Sequence, residues 1–92
     1  MAEIDRVGAY IVRIYSNEPR FEAPHVHVWR SGTWVKVRIP TKKEPAAMMA
    51  LSRKAMAPTH VIEAVRLVEE KAGAYLAEYK RRWEERYGKE TD

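Results

Sequence analysis

The stretch Pro24-His25-Val26-His27-Val28-Trp29-Arg30-Ser31-Gly32-Thr33-Trp34-Val35-Lys36-Val37-Arg38-Ile39-Pro40 decides the fold. Its β-branched and aromatic residues alternate at period two, the mark of strands that face two environments. Ser31-Gly32 divides the stretch into His25–Arg30 and Thr33–Ile39. A two-residue link whose glycine can take positive φ makes the pair a hairpin. Pro40 cannot donate to a ladder and ends the second strand.

Upstream, Ala9-Tyr10-Ile11-Val12-Arg13-Ile14-Tyr15 has the same composition and reads as another strand. Tyr10, Val12 and Ile14 share one face, and Ile11, Arg13 and Tyr15 the other. Ser16 to Pro24, punctuated by Asn17, Pro19 and Pro24, is a loop. Downstream, Lys42-Lys43-Glu44-Pro45 reads as an exposed turn. Ala46-Ala47-Met48-Met49-Ala50-Leu51 is either a short fourth strand or a helical turn, since periodicity does not choose over so few residues. Ser52 to Pro58 reads as a connection.

From Thr59, an N-cap residue directly after Pro58, the period changes. Apolar residues recur at spacings of three and four through Val61, Val65, Val68, Ala72, Tyr75, Leu76, Tyr79, Trp83 and Tyr87, which is an amphipathic helix. Gly88 stops it, and Gly73 marks a bend or a close approach to another backbone. The expected architecture is α+β, one domain over residues 1–92. It has a three- or four-stranded antiparallel sheet (9–39), a connection (40–58) and one long C-terminal helix (59–87) packing one sheet face. At 1.5 Å per residue that helix is about 42–45 Å long. Its last turns should overhang the sheet, so that Tyr79, Trp83 and Tyr87 form a stripe to be covered by a protein partner or a second copy. A bend at Gly73 would instead fold them onto the chain's own core.

Composition bounds the rest. The absence of cysteine removes disulfides, thiolate metal sites and a Cys nucleophile, and it fits a reducing compartment. No apolar run reaches about 18 residues, and the mixed-charge N-terminus lacks a signal core. The expectation is a cytoplasmic protein without membrane association. The net charge of +4 is uneven: residues 1–58 hold 10 Lys/Arg against 5 Asp/Glu, and residues 59–92 hold 7 against 8. A basic N-terminal part favours an acidic partner.

Alternation sets Val26, Val28, Val35, Val37 and Ile39 with Tyr10, Val12 and Ile14 as the core beneath the helix. The opposite face collects Arg13, Tyr15, His25, His27, Trp29, Trp34, Lys36 and Arg38. Unpaired burial of Lys36 and Arg38 is costly, so this face is expected to be open or partner-facing. Three chemistries suit it. Aromatic rings with nearby cations stack and pair with RNA. His25 and His27, about 6.5–7 Å apart at Cα on one strand face, suit a divalent metal if Glu18, Glu22 or His60 adds a ligand. The same histidines beside Arg13 and Lys36 suit acid–base cleavage of RNA. No phosphate loop, nucleophile elbow or paired-carboxylate site supports a reaction elsewhere.

The segments Ala9-Tyr10-Ile11-Val12-Arg13-Ile14-Tyr15-Ser16-Asn17-Glu18 and Pro24-His25-Val26-His27-Val28 resemble the family labelled domain of unknown function 4160. Val35-Lys36-Val37 is similar to its Lys-bearing strand. Ile62-Glu63-Ala64-Val65-Arg66-Leu67-Val68-Glu69-Glu70, with Trp83 and Tyr87, is similar to its C-terminal helix. Pro19 stands where the family often has a further histidine, so the resemblance implies no three-histidine site here. It implies a protein partner, in the manner of bacterial toxin–antitoxin pairs, and a toxin-like action on RNA or translation. The expected function is a component of such a module, binding a partner through the helix stripe and RNA or another acidic target through the basic face. The alternatives are a non-enzymatic inhibitor of phage or mobile-element origin that binds a nucleic-acid-handling complex, and a metal-dependent hydrolase using His25 and His27. Binding without a cofactor is expected ahead of catalysis.

Overall fold

Five strands follow one another in an antiparallel meander: β1 (Ala2–Val7), β2 (Tyr10–Ile14), β3 (His25–Arg30), β4 (Thr33–Arg38) and β5 (Ala47–Leu51). Two helices, α1 (Pro58–Glu70) and α2 (Ala72–Tyr87), complete the chain. The computed structural model describes residues 2–15 and 22–87, the last two of these as backbone only.

The central hairpin forms as its alternation requires. Val12 pairs with Val28, Val28 with Val35, and Val26 with Val37. These valines and Ile39 are fully buried, and Ala64, Leu67 and Val68 of α1 close over them. Ser31 and Gly32 both take positive φ, +50° and +76°. Two left-handed residues give the turn whose twist matches the strands.

Four expectations are corrected, on the sheet, the single helix, its cap and Gly73. The sheet has five strands, not three or four, and reaches from residue 2 to residue 51. Segment 47–51 is the strand of its two readings, and β1 extends the sheet at the N-terminus. β1 lacks alternation because its register shifts between Glu3, opposite Arg13, and Asp5, opposite Val12. That bulge at Ile4 turns the Asp5 carboxylate toward the helices, where an alternating strand would carry an apolar side chain.

The single helix 59–87 is two. α1 starts at Pro58, with Ala57 as its cap and no capping side chain, so Thr59 is not the cap. The break falls at Lys71, whose φ of −111° and ψ of 21° leave the helical region. At the break and one turn beyond it, Lys71 Nζ (2.9 Å) and the Tyr75 hydroxyl (2.7 Å) donate to the same oxygen of Asp5. α2 is thereby held against β1 at its first turn. Near the same face the Tyr10 hydroxyl donates to Glu63 at 2.6 Å. Burial and that carboxylate push the Tyr10 phenol up to about 12.

Gly73 is neither the hinge nor a close approach: a Cβ there would meet nothing within 4 Å. Gly73→Ala is therefore expected to stabilise the protein by about 0.5–1 kcal/mol through helix propensity. For a chain this short, that raises Tm by roughly 2–8 °C. Thermal denaturation followed by circular dichroism checks it, and a lowered Tm would show that the position needs glycine.

Candidate functional site

Register gathers the outer face into rows. One runs Glu3, Arg13, His27, Lys36 and Ala50 across the five strands. A second runs Ile11, Trp29 and Trp34, and a third His25, Arg38 and Ala47. All eight residues expected on this face are there, opposite the side covered by α1.

The two histidines are not exposed, contrary to expectation. His25 is 2% and His27 5% accessible. The Tyr15 ring lies flat on His27, 4.2 Å between centroids with planes 8° apart, and Trp34 meets its edge at 5.0 Å. His25 stands 5.5 Å from His27 and 6.1 Å from Tyr79 of α2. His25 Nδ1 lies 2.8 Å from the Ala23 carbonyl, which only accepts, so Nδ1 carries the proton. Tyr15, Trp34 and Tyr79 are the described rings that lie against these imidazoles.

Tyr79 thus belongs to the chain's own packing. Trp83 is half-buried beyond it, and the Tyr87 side chain lies outside the described residues. Sequence periodicity placed these rings on one stripe but carried no sign that α2 brings Tyr79 to His25.

The cations of the face are engaged. Lys36 pairs with Glu22, both side chains largely out of water. Arg38 meets Glu44 at 3.0 Å and donates twice to the Pro45 carbonyl. The Arg13 guanidinium sits 4.9 Å over the Trp29 ring, whose centroid is 6.4 Å from Trp34. Arg13, Trp29 and Trp34 are all partly exposed. This part of the face thus sets a partly exposed guanidinium beside two partly exposed indoles.

Of the extra metal donors, two fall among the described residues and each has another neighbour. Glu22 is committed to Lys36, His60 lies beside Tyr10 on the helix side, and Glu18 lies outside the described residues. Among the described residues, no three His, Cys, Asp or Glu side chains gather as a metal site would require. No helix among them is long and apolar enough to cross a membrane.

A family model described as "Domain of unknown function (DUF4160)" matches residues 9–84. The chain belongs to the DUF4160 family. No curated protein and no solved structure gives a significant match. The DUF4160 match takes in β2 to β5, both histidines and α2 as far as Glu84, so the outer face and its Tyr79 cover lie within the family's extent. It begins after β1, and so leaves out Asp5, the strand residue to which Lys71 and Tyr75 are tied.

Proposed function

We propose that this DUF4160 protein is a non-catalytic component of a toxin–antitoxin-like pair whose outer sheet face holds single-stranded RNA. The supporting observation is the Arg13–Trp29–Trp34 group: a cation on an aromatic ring with a second ring beside it, partly exposed on the face opposite α1. Unpaired bases stack on such rings and phosphates meet the guanidinium. The buried histidines serve as the packed floor that holds Tyr15 and Trp34 in place. The resemblance to the family, which implies a partner in the manner of toxin–antitoxin pairs, motivates the protein partner.

The test is fluorescence anisotropy with a labelled single-stranded RNA at several salt concentrations. Each lost stacking ring is worth about 1–3 kcal/mol. Trp29→Ala and Trp34→Ala are therefore each expected to weaken binding by roughly 5- to 150-fold. Arg13→Gln should lower the salt slope by about one phosphate contact. Binding unchanged in all three variants, with folding intact by circular dichroism, would remove this face from the function.

A further inference from the structure

β5 ends the sheet, and the face it turns to solvent has an unusual composition. Ala47-Met48-Met49-Ala50-Leu51 has no charge, and Met48 is 50%, Met49 37% and Leu51 37% exposed. Ile62 of α1, the helix that packs beside β5, is 52% exposed. Edge strands are usually guarded by charges, because their unpaired amides and carbonyls template another strand. The other edge follows that rule: β1 carries Glu3, Asp5 and Arg6. β5 does not follow it within the strand. Its charges stand at both ends, with exposed Lys42 and Lys43 before it and exposed Arg53 and Lys54 after it. Glu44, the acid in the first group, is turned to Arg38.

We propose that β5 is the docking edge for a partner protein's extended segment, apolar at its centre and acidic at both ends, which adds a sixth strand to the sheet. The backbone edge supplies hydrogen bonds, and the adaptable methionine side chains supply apolar contact. The bracket of four cations selects the acidic flanks. The same bracket disfavours a second copy of this chain. Antiparallel pairing of two β5 strands would set Lys42 and Lys43 beside the other copy's Arg53 and Lys54, and parallel pairing would set each pair beside itself. Met49 has no partner on β4, since Val37 faces Met48 and Lys36 faces Ala50. This bulge bends the edge and further disfavours symmetric pairing. The surface is separate from Arg13, Trp29 and Trp34, and the proposal does not depend on RNA binding.

Two synthetic twelve-residue peptides test it. Both carry a central run of alternating valine and threonine; one has two glutamates at each end, the other two lysines. Amide chemical shifts of the full chain, recorded during titration with each, give the site and the affinity. The glutamate-ended peptide is expected to bind at least tenfold more tightly, with shifts concentrated at residues 47–51. The variant Lys42→Glu/Lys43→Glu/Arg53→Glu/Lys54→Glu changes exposed residues only and should reverse the preference. Equal binding of both peptides, binding of neither, or shifts centred elsewhere would overturn the proposal. So would a β5-mediated dimer of the unmodified chain in sedimentation. RNA anisotropy on the same samples is expected to survive a failure here, which separates this proposal from the outer-face reading.

Discussion

Tyr75→Ala is expected to destabilise the protein by about 3–5 kcal/mol, the range for removing a buried aromatic ring. With total stabilities of about 5–15 kcal/mol, that change removes a large share of the fold. Two milder variants separate ring from hydroxyl. Tyr75→Phe keeps the ring and loses its bond to Asp5. Asp5→Ala leaves the buried Tyr75 hydroxyl without its acceptor, and each should cost about 1–3 kcal/mol. Urea denaturation of the three variants orders them. Equal losses for Tyr75→Phe and Tyr75→Ala would mean that the hydroxyl, not the ring, carries the contact.

The same tie makes stability depend on pH at both ends of the scale. Hydrogen bonds from Lys71 and then Tyr75 hold the Asp5 carboxyl below its ordinary value of 3.8. The folded chain therefore binds this proton less readily than the unfolded chain. The resulting stability is complete above pH 3.8 and is lost as pH falls through the lower folded value. Burial first, and then the Asp5 bond, push the Tyr75 phenol upward from 10.0, in the same direction as Tyr10. Groups raised in this way stabilise fully below pH 10 and lose that stability as pH rises through their folded values. The wild type should thus weaken on both limbs. Asp5→Asn should flatten the acid limb and Tyr75→Phe part of the alkaline one. Phenolate absorbance during alkaline titration identifies the tyrosines directly.

Much of the sheet is legible in the sequence because Val26, Val28, Val35 and Val37 alternate without interruption. The expected strands 25–30 and 33–39 differ from β3 and β4 by a single residue at one end. β1 was not legible, because the bulge at Ile4 breaks its period and places Asp5 where an apolar residue would signal a strand. The helix break was legible only as a bend marked at Gly73, two residues past its place at Lys71. Every spacing from Val61 to Tyr87 is helical, and the interactions across Lys71 reach a strand 66 residues earlier. Alternation likewise named the members of the outer face but not their exposure. Whether a histidine on a strand is open depends on what lies over it. Tyr15 and Tyr79 do so from a strand end and from a helix whose path Asp5 sets. Local pattern thus identifies which residues share a surface, and long-range contacts decide which of them meet solvent.

Glu22→Gln is the second variant expected to have a large effect, because it takes from the Lys36 ammonium, largely out of water, its counter-charge among the described residues. The nearer charge on its own row, Arg13 across His27, is another cation, and the row's one acid, Glu3, pairs with Arg6. The cost should be about 1.5–3 kcal/mol, below the 3–5 kcal/mol of a fully dry pair because some water remains. Lys36→Met should cost less, since it removes the charge and keeps an unbranched apolar stem against the neighbouring rings. The double variant should recover most of the loss in Glu22→Gln, with an interaction of roughly 1–2 kcal/mol in a double-mutant cycle by urea denaturation. Additive losses would show that Glu22 acts through the loop backbone instead. The pair also bears on binding. If the outer face holds RNA, neutralising Glu22 should release Lys36 toward phosphate, tightening binding as it weakens the fold and steepening the salt slope by about one. A stability loss with an unchanged salt slope would confine Lys36 to a structural part and leave Arg13 as the cation that meets phosphate.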